Sequence, residues 1–597
     1  MPRYSAPLED VLFVLEDVLD ISGHRDLPGF SDLSSETLRA VLGEGARFCA
    51  EVLQPLNRPG DAQGCRLAAD GTVTTPLGFP SAYAAYREGG WVGLSAPESV
   101  GGQNLPATLN AVMQEFVSSA NLSFGMVPGL TQGAYAAILA HGTPEQKALY
   151  GPKLVSGLWT GTMNLTEPQC GTDLGLIRTR AEPKPDGSFA LTGTKIFISA
   201  GEHDLAENIV HLVLARIDGA PAGTKGISLF LCPKFIPDAD GRPGLRNAVT
   251  CRRLEHKMGI HANPTCEMGY DGATAWLVGE PNRGLAAMFT MMNEARLAVG
   301  VQGLAIAEVA LQNAAAYARD RLQGRALTGA KSPDKPADPI IVHPDVRRAL
   351  MTIRAVTLTG RALMLWTALQ GDIQRRSPDP AARQAAEDHM GLMTPVVKGV
   401  LTDLGFHCAV EAQQLFGGHG YIADWGMEQF VRDARITMIY EGANGIQALD
   451  LVGRKLPKDG GRAIMAFLGE VGGFLKREAP NEALQPWLTP LKAGHGHLQQ
   501  AVMWLMQNAM TRPDHAGAGA TDMMHLLGLV AMGYMGARLA KAAQARIAAD
   551  PSTAEAMAAT ILATRFFAER LLPETALRLA RISAGADTIM ALDADLF

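Results

Sequence analysis

The chain predicts a multidomain α+β protein: a helical N-terminal domain, an antiparallel β barrel or sandwich, a helical bundle, and an additional C-terminal helical domain. Three observations carry this expectation. Apolar residues recur at helical spacing up to about residue 160, give way near Gly161 to short β-branched and aromatic runs, and resume the helical period from Gly284 to the end. At 597 residues the chain is also too long for one hydrophobic core. The expected boundaries are 1–160, 161–283, 284–458 and 459–597.

In the first segment Val11, Leu12, Leu15 and Leu19 form one amphipathic face, and Leu38, Val41, Leu42, Phe48, Val52 and Leu53 another. Residues 89–103 read as a loop. Thr143-Pro144-Glu145-Gln146 reads as a helix start with proline at the first position. Beyond Gly161, strands are expected at 189–192, 196–199, 209–217, 227–231 and 273–278, with Asp186-Gly187 as a hairpin turn. No helix of useful length separates them, which argues for antiparallel pairing. Long helices are expected at 285–321, 344–370 and 381–416, and again at 498–510, 523–549 and 553–572. The Ala- and Met-rich C-terminal block carries no motif of chemistry and reads as a packing or interaction domain.

Composition narrows the function. With 53 basic and 60 acidic side chains the formal charge is −7, which argues against nucleic acid or an anionic membrane as the main partner. Seven scattered cysteines without a Cys-x-x-Cys pair read as reduced thiols of a cytoplasmic protein. Glu9 and Asp10 fall where the apolar core of a signal peptide would begin, and no uninterrupted apolar run has bilayer-spanning length. His407, His419 and the pair His495/His497 have no acidic or cysteine partners at ligand spacing, so no metal is expected. Gly418-His419-Gly420-Tyr421-Ile422-Ala423 has the form of a dinucleotide fingerprint but follows a helix rather than a strand, so that reading is rejected.

Two distant segments carry the chemistry. In Ile439-Tyr440-Glu441-Gly442-Ala443-Asn444-Gly445-Ile446 a single carboxylate stands between an apolar approach and a glycine-bearing turn that opens a helix. A carboxylate there is also a common surface cap, favoured by the helix dipole. Thr160 to Asp173 contains Thr166-Glu167-Pro168, with glycines and small residues that admit a flat polar ring; alone, it also fits an ordinary strand-entry loop.

Together with Gly193-Thr194-Lys195-Ile196-Phe197-Ile198-Ser199, these segments and their order resemble the acyl-CoA dehydrogenase family of flavoproteins across roughly residues 41–456. The length and C-terminal block resemble its large subfamily. Lys257-Met258-Gly259-Ile260-His261 and Met291-Met292-Asn293-Glu294-Ala295-Arg296 resemble the 3-methylmercaptopropionyl-CoA dehydrogenases of dimethylsulfoniopropionate breakdown.

The resemblance implies FAD between the β domain and the second helical domain. Met163, Leu165 and Thr166 would face the isoalloxazine, Thr172 would lie near the phosphates or the acyl-CoA, and Phe197 and Ser199 would cover the ring. Arg321, Gln414 and Gly418 would reach the FAD of a neighbouring subunit in a homodimer. Asn293, Arg296 and Gly442 would contact substrate. Glu441 would be the base, its carboxyl raised by burial, with its N–H polarising the thioester carbonyl. An electron-transfer flavoprotein would accept the electrons. Ala443 and Gln323 depart from the family pattern. Rival readings are an acyl-CoA oxidase reoxidised by O₂ and a DNA-associated flavoprotein of the same family. The second would need a basic stripe in the C-terminal block, where Glu470, Glu478, Glu482, Asp550, Glu555 and Glu569 are instead interspersed.

Overall fold

The computed structural model describes residues 2–597. By packing, the chain divides into two compact units. One unit comprises Phe48–Asn110 and Ala120–Ala298; the other holds the residues up to Arg47, Ala111–Ser119 and Val299–Phe597.

The first unit is built on a seven-stranded sheet: β1 (Trp159–Asn164), β2 (Arg180–Pro183), β3 (Phe189–Ser199), β4 (Asn208–Ile217), β5 (Ile227–Pro233), β6 (Val249–Leu254) and β7 (Thr265–Val278). Five strands close on themselves in the order β7-β3-β2-β4-β5, with β5 returning to β7; β6 extends the sheet beside β7, and β1 beside β4. Closure removes the free edges of the barrel strands. The expected barrel is therefore present, but its pairing is mixed. β1 runs parallel to β4, with Trp159 opposite Asn208, and β2 parallel to β4. The two short strands expected at 189–192 and 196–199 are one continuous strand. The Asp186-Gly187 hairpin is as expected: Pro183 pairs with Phe189 across it, and Gly187 has φ 83°. Leu191, Val213, Phe230, Cys266 and Tyr270 fill the core.

Helices complete this unit. The helix α1 (Ala107–His141), whose residues 111–119 belong to the other unit, breaks at Asn121, whose φ of −161° is not helical and whose Oδ1 accepts from Phe124 N–H, capping the second half. The next, α2 (Pro144–Val155), opens on the predicted start, closed by a capping box: Thr143 Oγ1 accepts from Gln146 N–H and Gln146 Oε1 from Thr143 N–H.

The second unit is helical. Its long members are the C-terminal part of α3 (Gly284–Asp320), α4 (Pro344–Arg376), α5 (Pro380–Leu415) and, beyond the short α6 (Asn444–Asp450), α7 (Gln485–Asn508) and α8 (Pro513–Ala549). The N-terminal residues join it, with Arg354 on Asp10 at 2.6 Å and Arg538 donating to the Val18 carbonyl at 2.6 Å. At its centre Arg361 is fully buried against Glu115 (2.6 Å) and Glu308 (2.8 Å). Two helices, α3 and α8, reach the length and apolar content of a membrane span, which no uninterrupted run in the sequence suggested. The apolar windows are 78% and 94% buried inside the protein.

Candidate functional site

In the β unit, the Thr166-Glu167-Pro168 turn leaves β1 and is clamped from beneath. Lys195, fully buried on β3, donates to Glu167 Oε1 at 2.8 Å and to the Leu165 carbonyl at 2.9 Å, while Ile196 N–H donates to the Thr166 carbonyl at 2.9 Å. Glu167 also accepts from Thr179 Oγ1 (2.6 Å), Thr179 N–H (3.0 Å) and Arg178 N–H (2.6 Å). Burial alone would raise its carboxyl; the Lys195 charge and these hydrogen bonds outweigh burial and hold it down at about 2. Glu167 is thus an ionised structural keystone.

Two residues after Lys195 the strand is strained. Ile196 and Phe197 together oppose Glu267 of β7, a bulge, and Phe197 takes φ 60°, left-handed and costly for a side chain of its size. The bulge turns its ring outward, 60% exposed. Met163, Leu165, Thr166 and Ser199 are half-buried. An apolar ring face beside a hydroxyl and inward-committed carbonyls suits a flat heteroaromatic ring with one polar edge, so these residues fit an isoalloxazine. Thr172 lies in the exposed turn after the motif. Asn293, exposed, and Arg296, half-buried, stand one turn apart on α3.

In the helical unit, Arg321 follows the end of α3 and is exposed; Gln414 and Gly418, also exposed, flank the end of α5. Tyr317, one turn before Arg321, stacks on Phe416 at 4.1 Å and meets His419 Nδ1 through its hydroxyl at 2.9 Å. This aromatic contact gathers Arg321, Gln414 and Gly418 at one corner. His419 is stacked on Trp425, His495 Nε2 donates to the Leu468 carbonyl and His497 Nδ1 meets Thr575 Oγ1, so each has a structural partner. Among the described residues no group of three or more His, Cys, Asp or Glu is placed to hold a metal. Gly418 opens a helix of only four residues after α5, which bears out rejection of the dinucleotide fingerprint.

Glu441 and Gly442 form the turn between the helix Met427–Thr437 and α6, with φ 57° and 84°, both left-handed. The φ of Gly442 favours glycine, and a Cβ there would also lie 2.6 Å from Gln447 Nε2. Strain at a non-glycine residue persists where its surroundings over-determine it, and here they do. Gln447 Nε2 donates to the Glu441 and Gly442 carbonyls (3.1 and 3.2 Å), and fully buried Lys398 donates to the Gly442 carbonyl at 2.9 Å and to Asn444 Oδ1 at 2.7 Å. Just before it, the Tyr440 hydroxyl is bonded to Gln302, and burial raises that phenol. Glu441 itself is half-buried.

Sequence reasoning missed the residues that hold this turn. Lys398 had a signal: it is the lone charge in the apolar run Pro395-Val396-Val397-Lys398-Gly399-Val400-Leu401. Gln447 had none.

The comparisons give the class to which this fold belongs: the chain is a member of the acyl-CoA dehydrogenase family of FAD-dependent oxidoreductases. Residues 35–158, 162–273 and 282–456 match the acyl-CoA dehydrogenase N-terminal, middle and C-terminal domains, and residues 467–593 match the acetyl-CoA dehydrogenase C-terminal-like domain. The 3-methylmercaptopropionyl-CoA dehydrogenase of Ruegeria pomeroyi is 42% identical over 98% of this chain and 99% of its own. A broad-specificity linear acyl-CoA dehydrogenase of Mycobacterium tuberculosis is 35% identical over 96% of each. In fold, the chain is similar to the Bacillus anthracis acyl-CoA dehydrogenase solved with FAD (TM-score 0.74, 21% identity, 97% of this chain and 93% of that one).

Proposed function

We propose that this enzyme uses FAD to convert an acyl-CoA thioester to its 2-enoyl-CoA, with 3-methylmercaptopropionyl-CoA or another short- to medium-chain acyl-CoA as substrate, as part of dimethylsulfoniopropionate or fatty-acid breakdown. The observation that carries this reading is Glu441, a half-buried carboxylate on a strained left-handed turn whose carbonyls are held by Lys398 and Gln447. Glu441 removes the weakly acidic α-proton as general base. Its backbone N–H polarises the thioester carbonyl, stabilising charge that develops as the proton leaves. Substrate seated over Gly442 excludes water from the carboxylate and raises its affinity for the proton. Bound FAD supplies the acceptor for the β-hydride, since no side chain accepts hydride. Thr166 orients that ring by its hydroxyl, while Met163, Leu165 and Phe197 supply its apolar contacts and Ser199 a second hydroxyl. Thr172 would lie near the phosphates or the acyl-CoA, and Asn293 and Arg296 would lie near the CoA portion. Similarity to the Ruegeria pomeroyi enzyme over nearly the whole of both chains supports this substrate class.

The purified protein is expected to be yellow, with one FAD per chain. In a panel of acyl-CoAs assayed with an artificial acceptor, it should oxidise 3-methylmercaptopropionyl-CoA or a straight-chain analogue of similar length. A folded preparation that cannot be reconstituted with FAD, or that oxidises no acyl-CoA, would sink the reading. An electron-transfer flavoprotein is the proposed physiological acceptor. The reading places the protein in the cytoplasm, where its seven free thiols would persist.

The proposed assembly is a homodimer in which Arg321, Gln414 and Gly418 hold the adenine end of the partner subunit's FAD. Light scattering coupled to gel filtration should return twice the chain mass of 63.4 kDa. A monomer that retains FAD tightly would refute the cross-subunit contact.

A further inference from the structure

The turn that carries Glu441 is tied, through four side chains, to the C-terminal helical block. His525, on α8, donates from Nε2 to Asp403 Oδ2 at 2.8 Å. The other oxygen of that carboxylate, Oδ1, accepts from Asn444 Nδ2 at 2.7 Å. The Asn444 amide also donates to Thr402 Oγ1 (2.9 Å) and the Gly399 carbonyl (3.1 Å), and its oxygen accepts from Lys398. Lys398 in turn holds the Gly442 carbonyl. The chain of contacts ends on the Gly442 carbonyl, in the second peptide after Glu441.

Nothing in this series is loose. Asn444 and Lys398 are buried, and the His525 and Asp403 side chains are only 10% and 16% exposed. Glycine at 399 lets α8 press onto α5: a Cβ there would lie 2.4 Å from Met524 Sδ, next to His525 in sequence. The helix thereby delivers the imidazole to Asp403 with little freedom. Asp403 uses one oxygen toward each side, so rotating it to compensate for a lost partner would disturb the Asn444 amide. A buried network in which every member is satisfied behaves as a unit, and removing one member is felt along it.

We propose that His525 is a positioning residue for the reaction: by fixing Asp403 it holds Asn444 and Lys398, and through them the left-handed turn that aims the Glu441 carboxylate. This rests on the reading of Glu441 as the base. The C-terminal block then has a role beyond packing, because its residue 525 sets the geometry of a turn contributed by the preceding domain.

The test is anaerobic stopped-flow reduction of the flavin by butyryl-CoA or 3-methylmercaptopropionyl-CoA in the full-length, FAD-loaded enzyme. His525→Leu is expected to lower the limiting reduction rate about 10- to 100-fold, the scale of a misplaced catalytic group, with FAD content and half-saturating substrate nearly unchanged. His525→Gln, whose amide N–H can reach Asp403, is expected to recover most of that loss. An unchanged rate in His525→Leu overturns the proposal. So does an equal loss in both variants, which would assign the effect to helix packing, or a loss confined to half-saturation, which would assign it to binding. Should His525→Leu fail to hold FAD, Asp403→Leu breaks the same chain at its centre, and an unaltered rate there overturns the proposal equally. Glu441→Gln in the same assay separates the two readings. If it reduces its flavin at wild-type speed, the base is elsewhere and this inference falls with it; if it is inactive, the His525 variants judge the positioning role alone.

Discussion

Glutamine at position 441 is expected to slow reduction of the flavin by acyl-CoA at least about 10²- to 10⁴-fold, the usual contribution of a general base. The structure indicates why the loss should be confined to chemistry. Glutamine has the length and shape of glutamate, and the contacts from Lys398 and Gln447 reach main-chain carbonyls that the substitution leaves in place. The turn, the fold and FAD content should therefore survive. Acyl-CoA should still bind and perturb the flavin absorbance, giving the measurement an internal control for substrate binding. Near-wild-type reduction in Glu441→Gln would place the base elsewhere.

The second large effect belongs to a carboxylate with no part in proton transfer. Glu167→Ala leaves Lys195 fully buried without its carboxylate partner and removes the acceptor for Arg178 and Thr179 N–H. Breaking a buried pair from one side costs about 3–5 kcal/mol, and the Thr166 turn that lies over it should lose FAD first. Denaturant melts would show a lowered midpoint at an unchanged slope. The same pair predicts a pH dependence. Because the Glu167 carboxyl is held at about 2 in the folded protein against an ordinary value of 4.5, its contribution is complete above 4.5 and is lost as pH falls from there through about 2. The stability difference between the wild type and Glu167→Gln should thus shrink across that acid window. A difference that stays constant below pH 4.5 would show that the charge on Glu167 does not stabilise the fold.

The parts of this architecture that were legible in the sequence are those where local pattern and tertiary role agree. Long helices with uniform apolar faces, the hydrophobic run of β4 and the Asp186-Gly187 hairpin all follow from spacing and turn chemistry. β1 escaped because Thr160-Gly161-Thr162 reads as loop, and its parallel pairing with β4 depends on a partner almost fifty residues away. β3 looked like two strands because Gly193 and Lys195 interrupt its apolar alternation; burying a lysine is legible only once its glutamate is known. At the candidate site, the glycine after Glu441 marked the turn, since a left-handed residue is what glycine supplies. The left-handed backbone at Phe197 and Glu441 themselves left no mark, because nothing local favours it and only the surrounding hydrogen bonds impose it. The contacts from Lys398, Asn444 and His525 are long-range and have no sequence period.

The Glu167–Lys195 clamp bears on how this lineage can drift. A descendant that abandoned its substrate could shed the carboxylate at 441 with little harm to folding, whereas neither member of the clamp can be lost singly without exposing the other to an apolar interior. Even a joint apolar replacement would strand the amides of Arg178 and Thr179. The Thr-Glu-Pro signature is therefore expected to outlive catalysis, marking shared ancestry of the barrel in any pseudoenzyme that arises, while the glutamate of the Tyr-Glu-Gly turn, the base proposed above, is the character expected to be lost first.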